Sequence, residues 1–340
     1  MKTVVIPLDS AAPDKEALAE AARVLRRGGL VAFPTETVYG LGAHALDAAA
    51  AARIFAAKGR PANNPLIVHL ADAAGVQQVV ANWPEPAERL VKRFWPGPLT
   101  LVLPRRDTVP DVVTAKGPTV AVRVPAHPVA QALLRTADVP IAAPSANRST
   151  ELSPTRAEHV LRSLDGRIEM LLDGGPTSGG IESTVLDLTT TPPRLLRPGP
   201  ISIAELEAEI GTVARVCSST VAARNGLHPL PSPGMMPRHY APRTPLECIE
   251  TGKEPECLAS LLRAKRRIGW VTFAGPGERI VPSEVHLRVL PSDPAGYAAQ
   301  LYAVLHELDV AGLDHILVTL PPDTEDWLAV RDRLRRAAHS

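Results

Sequence analysis

Proline limits this chain more than any other residue: 35 of its 340 residues are proline, and many close a short apolar run, as in Leu103-Pro104 and Val124-Pro125. Proline fixes φ and carries no amide proton, so such runs read as short strands that end in defined turns. Aromatics make up only 4% of the residues, and core volume has to come from Ala, Val, Leu and Ile. The length exceeds that of one usual domain, so two domains are expected.

Helices are marked by their ends. Asp14 caps a helix over 14–27 that Gly28-Gly29 stops, and Asp47 caps another that runs to Lys58 and stops at Gly59. Apolar runs predict strands over 30–33, 66–70, 99–103, 120–124, 141–143 and 183–188, with helices over 86–94, 128–135 and 202–210. Several strands are separated by turns alone, which argues for a mixed sheet with flanking helices rather than a purely parallel one. Residues 211–242 are rich in Ser, Pro, Gly and Arg without a sustained period and read as a linker. Beyond them a strand over 268–273, a helix over 295–307, a strand over 315–320 and a helix over 326–338 alternate, giving a small α/β unit with a parallel sheet. The expected organisation is a catalytic domain over 1–210, a linker over 211–242 and a small C-terminal α/β domain over 243–340.

Net charge is +1, so anion binding has to come from local clusters of Lys and Arg. No apolar run reaches transmembrane length, and the first eight residues are too short and too broken by Pro7 for a secretory signal. A cytoplasmic enzyme without membrane contact is the expectation. Cys217, Cys248 and Cys257 are odd in number and form no Cys-x-x-Cys pair, which argues against a disulfide framework. The histidines do not fall at metal-ligand spacing, so no protein-built metal site is expected. A Gly-x-Ser-x-Gly elbow and a Walker A sequence are both missing.

Chemistry concentrates in a few segments. Phe33-Pro34-Thr35-Glu36-Thr37-Val38-Tyr39-Gly40-Leu41-Gly42 passes from an apolar run into hydroxyls, a phenol and glycines. One helix later comes Lys58-Gly59-Arg60-Pro61, where a point charge and a planar fork meet the needs of a polyanion, although cations at a helix C-terminus also favour its dipole. Pro61-Ala62-Asn63-Asn64-Pro65 would frame that pair rigidly. Arg123 and Arg197 are isolated inside apolar strands, where each must reach solvent or meet an anion. Pro144-Ser145-Ala146-Asn147 ends a strand and is equally an ordinary turn. Glu182-Ser183-Thr184 follows a Gly-rich stretch whose backbone could approach an anion. Ser232-Pro233-Gly234 and Arg238-His239-Tyr240-Ala241-Pro242 are unusual for a passive tether and suggest a segment that folds back over a pocket.

Taken in order, these stretches resemble the YrdC-like family, in its long two-domain type, the threonylcarbamoyl-AMP synthases. The resemblance rests on 33–42, Lys58-Gly59-Arg60-Pro61, Asn64-Pro65-Leu66, Trp95-Pro96-Gly97-Pro98-Leu99-Thr100, Pro144-Ser145-Ala146-Asn147, Ser183-Thr184-Val185 and Arg197-Pro198-Gly199, with the 232–242 segment matching the linker of the long type. It implies a YrdC-like twisted mixed sheet with flanking helices, plus a small Rossmann-like C-terminal domain.

It also implies a reaction in which L-threonine, bicarbonate or CO2, and ATP give threonylcarbamoyl-AMP and pyrophosphate, for N6-threonylcarbamoyladenosine at position 37 of tRNA. By this resemblance Lys58, Arg60, Ser145, Asn147 and Arg197 bind ATP, and Lys58 and Arg60 carry the catalytic charge. Tyr39 and Arg123 shape the nucleotide and substrate pocket, and Ser232, His239 and Tyr240 close over the nucleotide from the linker. Thr35, His69, Arg123, Ser183 and Thr184 surround threonine and its carbamate. Mg2+ accompanies ATP, held mainly by the phosphates. The resemblance leaves room for a tRNA or a downstream threonylcarbamoyl-transferase partner. Two other readings stay open on the sequence: a carbamoyl-transfer protein on the same core, and an RNA-binding module.

Overall fold

The computed structural model describes residues 2–215, 230, 232, 239–273 and 281–339. Most of the expected linker, including Pro233-Gly234 and Arg238, and with it Cys217, lies outside them. The chain divides into two compact units. One comprises Met1–Ser149, Ser153–Ser178 and Glu182–Met235; the other comprises Thr150–Leu152, Gly179–Ile181 and Met236–Ser340.

The strands of the first unit are β1 (Val4–Pro7), β2 (Val31–Phe33), β3 (Gly40–His44), β4 (Ile67–His69), β5 (Leu99–Pro104), β6 (Thr119–Arg123), β7 (Ile141–Ala142), β8 (Met170–Asp173), β9 (Thr184–Asp187), β10 (Arg194–Arg197) and β11 (Ala214–Arg215). Among the described residues they form one sheet in the order β1-β8-β2-β3-β7-β4-β6-β5-β9-β10-β11. Pairing is mixed, as the turn-linked strands require: β4 runs parallel to β6, whereas β3 and β4 both run antiparallel to β7. Ala214–Arg215 pairs parallel to β10, so the start of the expected linker belongs to the sheet edge.

Local chemistry explains the elements. The Asp47 carboxylate accepts from the Ala49 and Ala50 amides, and Gly59 closes the helix Ala48–Lys58 in the left-handed region at φ 63°. The helix Ile203–Ile210 begins with a capping box between Ser202 and Glu205. The helices Lys15–Arg26 and Pro128–Ala137 bury Leu18, Leu25, Leu133 and Leu134 against Val31, Phe33, Met170 and Leu172 of the sheet. Ile67, Val102, Ala121, Val185 and Leu196 form a second cluster.

Gly40–His44, over which the apolar runs predict no strand, is a strand antiparallel to β2. A Cβ at Gly42 would come within 2.8 Å of the Phe33 ring and 2.9 Å of the Ile141 side chain. Side-chain packing therefore requires a glycine here.

The second unit has β12 (Leu246–Ile249), β13 (Ile268–Thr272), β14 (Val285–Val289) and β15 (His315–Thr319) in the order β12-β15-β13-β14 among the described residues. All pairs are parallel, the outcome expected when helices make the crossovers. Ile249, Ile268, Trp270, Val285 and Leu317 form its core, against which Leu258 and Leu261 of the helix Glu254–Arg263 pack.

Candidate active site

Three groups of polar side chains in the first unit lie at strand and helix ends. The first follows from the stop at Gly59, which leaves Lys58 in the last helical turn and Arg60 just beyond. Both are buried. The Lys58 ammonium donates to the carbonyl of Ser145 at 2.6 Å and to that of Asn147. The Arg60 guanidinium donates to the Asn64 carbonyl at 3.0 Å, the Asn64 side-chain oxygen at 2.7 Å and the Pro65 carbonyl at 2.7 Å. The proline-bounded stretch therefore wraps the guanidinium, and the turn after β7 wraps the ammonium. The Asn147 side chain donates to the Arg148 carbonyl at 2.8 Å.

The second group surrounds Arg123 at the end of β6. Its guanidinium donates to the Gly97 carbonyl at 3.1 Å and to the Thr37 hydroxyl at 3.0 Å, and a terminal nitrogen stands 2.7 Å from a Glu36 carboxylate oxygen. Thr35 and Thr37 hydroxyls are 2.8 Å apart, and the Thr35 oxygen also accepts from the Thr37 and Val38 amides, each at 3.2 Å. His69 is the register partner of Arg123 across β4 and β6. Burial first, and the Arg123 charge second, hold the His69 imidazole down at about 3, so it is neutral.

The third group joins Arg197 to Ser183. The guanidinium donates to the Ser183 carbonyl and hydroxyl, each at 3.0 Å, and the hydroxyl lies 2.7 Å from that of Thr100. Gly199 permits this close crossing, since a Cβ there would fall 2.3 Å from the Thr184 amide nitrogen. Beside it, Ser153 donates to a Glu182 carboxylate oxygen at 2.5 Å, both residues being buried.

Two turns tie the groups together. Thr37 accepts from Arg123, while two residues on the Tyr39 carbonyl accepts from the Ala146 amide at 2.8 Å, beside Ser145. Gly97 accepts from Arg123, and the neighbouring Pro98 carbonyl accepts from the Thr184 amide at 2.9 Å.

Some side chains face elsewhere. The Tyr39 phenol donates to the Gly175 carbonyl at 2.6 Å and reaches Asp173 at 3.3 Å. Burial and then the Asp173 carboxylate push its pKa well above the ordinary tyrosine range, so it stays a donor that anchors the 173–175 loop. The Thr184 hydroxyl donates to the Ile201 carbonyl at 2.9 Å and accepts from the Ile201 amide at 3.0 Å, closing a local turn. Ser232 is buried and belongs to the first unit. His239 and Tyr240 belong to the second, where the Tyr240 ring lies 3.9 Å from His239, 5.9 Å from Tyr302 and 5.2 Å from the Arg333 guanidinium.

Sequence reasoning misses Glu36, Asn64, Thr100 and Ser153 as members of these groups. Glu36 and Asn64 sit inside the quoted motifs, which is the signal that could have found them. Thr100 also sits inside a quoted motif, although its partner is 83 residues away, whereas Ser153 carries no local signal, because its partner is 29 residues away. Among the described residues no group of three or more His, Cys, Asp or Glu side chains could hold a metal ion. No helix among them is long and apolar enough to cross a membrane.

The Sua5_yciO_yrdC family profile, described as telomere recombination, matches residues 23–199, and that of the threonylcarbamoyl-AMP synthase C-terminal domain matches 201–339. The chain is 44% identical over 324 residues to a threonylcarbamoyl-AMP synthase of Pyrococcus abyssi, covering 94% of this chain and 93% of the relative. It is 44% identical over 326 residues to one of Bacillus subtilis, covering 94% and 92%. The crystal structure of P. abyssi Sua5 complexed with L-threonine superposes with a TM-score of 0.91 at 41% identity, covering 99% of this chain and 98% of that one. Matched along both of its halves, the chain belongs to the Sua5/YciO/YrdC family, in the two-domain threonylcarbamoyl-AMP synthase type.

Proposed function

We infer that the chain joins L-threonine, bicarbonate or CO2, and ATP into threonylcarbamoyl-AMP and pyrophosphate, supplying the intermediate for N6-threonylcarbamoyladenosine at position 37 of tRNA. The observation that carries this reading is the linkage of three polar groups through the 35–39 and 97–98 turns. The reading is supported by the kinds of side chain so linked: cations suited to phosphate, and hydroxyls, a neutral imidazole and an arginine suited to an amino acid.

In this reading the threonine amine loses a proton and bonds to the carbon of CO2. A carbamate oxygen then bonds to the α-phosphorus of ATP, and the bond to the β-phosphate bridging oxygen breaks to release pyrophosphate. No covalent enzyme intermediate is needed, so the side chains act by position and charge. Lys58, Arg60, Ser145, Asn147 and Arg197 bind the nucleotide. Tyr39 contributes by fixing the 173–175 loop, and Ser232, His239 and Tyr240 belong to the segment that covers the nucleotide. Thr35, His69, Arg123, Ser183 and Thr184 surround threonine and its carbamate, with the Thr184 hydroxyl acting through the turn it closes. The neutral His69 can accept or donate without adding charge beside the carbamate. ATP would enter as its Mg2+ complex, with the metal held mainly by the phosphates. The tRNA or a downstream threonylcarbamoyl-transferring enzyme is the partner that consumes the product, in the cytoplasm.

The test is pyrophosphate release from Mg2+-ATP and bicarbonate, with and without L-threonine, in the wild type and a Lys58→Ala, Arg60→Ala variant. Threonine-dependent release that disappears in a folded variant supports the reading. Release that ignores threonine, or none with any amino acid, rejects it.

A further inference from the structure

Leu99-Thr100-Leu101-Val102-Leu103 puts one hydroxyl inside an apolar strand, and the reaction as written gives it no task. Thr100 is fully buried in β5, which has β6 on one side and β9 on the other. Among the described residues its hydroxyl meets only that of Ser183, at 2.7 Å. The Ser183 oxygen also accepts from the Arg197 guanidinium at 3.0 Å. These contacts constrain the protons, because a hydroxyl has one proton and two acceptor lone pairs. Thr100 and Ser183 own two protons between them, and their mutual bond uses one. If Ser183 gives its proton to Thr100, the Thr100 proton is left inside an apolar strand with no acceptor, which is costly. If Thr100 gives its proton to Ser183, both Ser183 lone pairs are filled, one by Thr100 and one by Arg197. The proton left over then belongs to Ser183, which stands just before β9 among the polar groups of the site.

We propose that Thr100 is a positioning residue that sets the polarity of this pair: by donating to Ser183 it makes the Ser183 hydroxyl a donor to an anionic oxygen of the reactants. This rests on the synthase reading and adds to it a residue that acts only through Ser183. An ammonium group is refused here, because the Ser183 oxygen has no lone pair left for it and the Arg197 guanidinium repels it. A carboxylate, carbamate or phosphate oxygen fits, since it takes the Ser183 proton and meets the Arg197 charge together. A donor preset in this way needs no reordering when negative charge arrives, which is what charge stabilisation during reaction requires. β5 pairs parallel with β9 at Leu99–Thr184 and Thr100–Val185, so both hydroxyls hang from backbone anchored in or beside the sheet.

The test is a double-mutant cycle of Thr100→Val, which keeps the side-chain shape and removes the hydroxyl, with Ser183→Ala, read by threonine-dependent pyrophosphate release. Thermal melting checks each fold. Thr100→Val should lower release about 3- to 10-fold in the wild type and change it by less than about twofold in Ser183→Ala. Thr100→Ser, which keeps the donor, should stay within about twofold of wild type. In Ser183→Ala the Thr100 hydroxyl has lost its partner, so Thr100→Val should raise the melting temperature there and leave release unchanged. Calorimetry with L-threonine and with pyrophosphate identifies the anion. Weaker binding of the first assigns the carboxylate and of the second a phosphate oxygen; a lower kcat with both unchanged assigns the carbamate, which forms only during turnover. Losses of equal size in the two backgrounds would mean that Thr100 only packs in β5, and they overturn the proposal. So does full activity in Thr100→Val, or a Thr100→Ser variant as slow as Thr100→Val. A wild type whose pyrophosphate release ignores threonine rejects the synthase reading, together with the proposal built on it.

Discussion

Arg123 in the first unit and Arg331 in the second are both about 3% exposed, and both face carboxylates, yet the carboxylates differ. Arg331 reaches Asp323 at 3.2 Å and Glu250 at 3.5 Å, whose side chains are 73% and 67% exposed. Water solvates those anions, and Arg331 also donates to the Pro321 carbonyl, so it pins the helix Leu328–Ala337 at little cost. Arg123 faces Glu36, which is itself enclosed and lacks directed bonds. Burial of an arginine therefore does not separate structure from function. What separates them is whether the partner anion is solvated. A solvated partner makes a brace, whereas an enclosed, poorly bonded one is costly to bury, and a place at the ligand is the role proposed for Arg123.

Replacing each side in turn breaks the comparison where it is weakest. Arg123→Met should lower threonine-dependent pyrophosphate release about 100-fold, with a larger rise in KM for threonine than for ATP, measured by steady-state kinetics. The same region should carry a pH signature. The folded His69, at about 3, lies below the ordinary 6.5, so the unfolded chain binds the extra proton. The stabilising contribution is complete above pH ~6.5 and falls by about 1.4 kcal/mol per unit as pH drops from there toward 3. His69→Gln should lack that slope in urea titrations at pH 7 and 5. Arg331→Met should cost about 1–2 kcal/mol in urea stability and leave kinetics unchanged, because one carbonyl loses its donor while the carboxylates stay wet. Asp323→Asn, on an exposed side chain, should cost under about 1 kcal/mol by the same measurement.

The sequence makes one side of this comparison easier to read than the other. Arg123 and Arg197 stand out because a basic residue in an apolar strand has few explanations. Arg331 and Arg333 do not, because a helix tolerates basic residues on any wet face, and only the tertiary packing of the second unit shows them buried. Lys58 and Arg60 are legible for a local reason, since their helix stop and proline frame lie within a few residues. The direction of the Tyr39 phenol is not, because its acceptors at 173 and 175 arrive from more than 130 residues away. Thr184 looks like a ligand hydroxyl until Ile201 is seen to use both its donor and its acceptor. Glu36 was in plain view inside the motif, but nothing local reveals that its oxygens are enclosed. The mixed pairing of the first sheet and the parallel pairing of the second follow from turn lengths. Short strands such as Val4–Pro7, Met170–Asp173 and Leu246–Ile249 escape, because a run of four residues carries too little periodicity to register.

Side-by-side assay of Arg123→Met and Arg331→Met for threonine-dependent pyrophosphate release, each checked for folding by thermal melting, tests the account most directly. The account predicts a loss of about 100-fold in the first and activity within about twofold of wild type in the second. Equal losses in two folded proteins, or full activity in Arg123→Met, would contradict it.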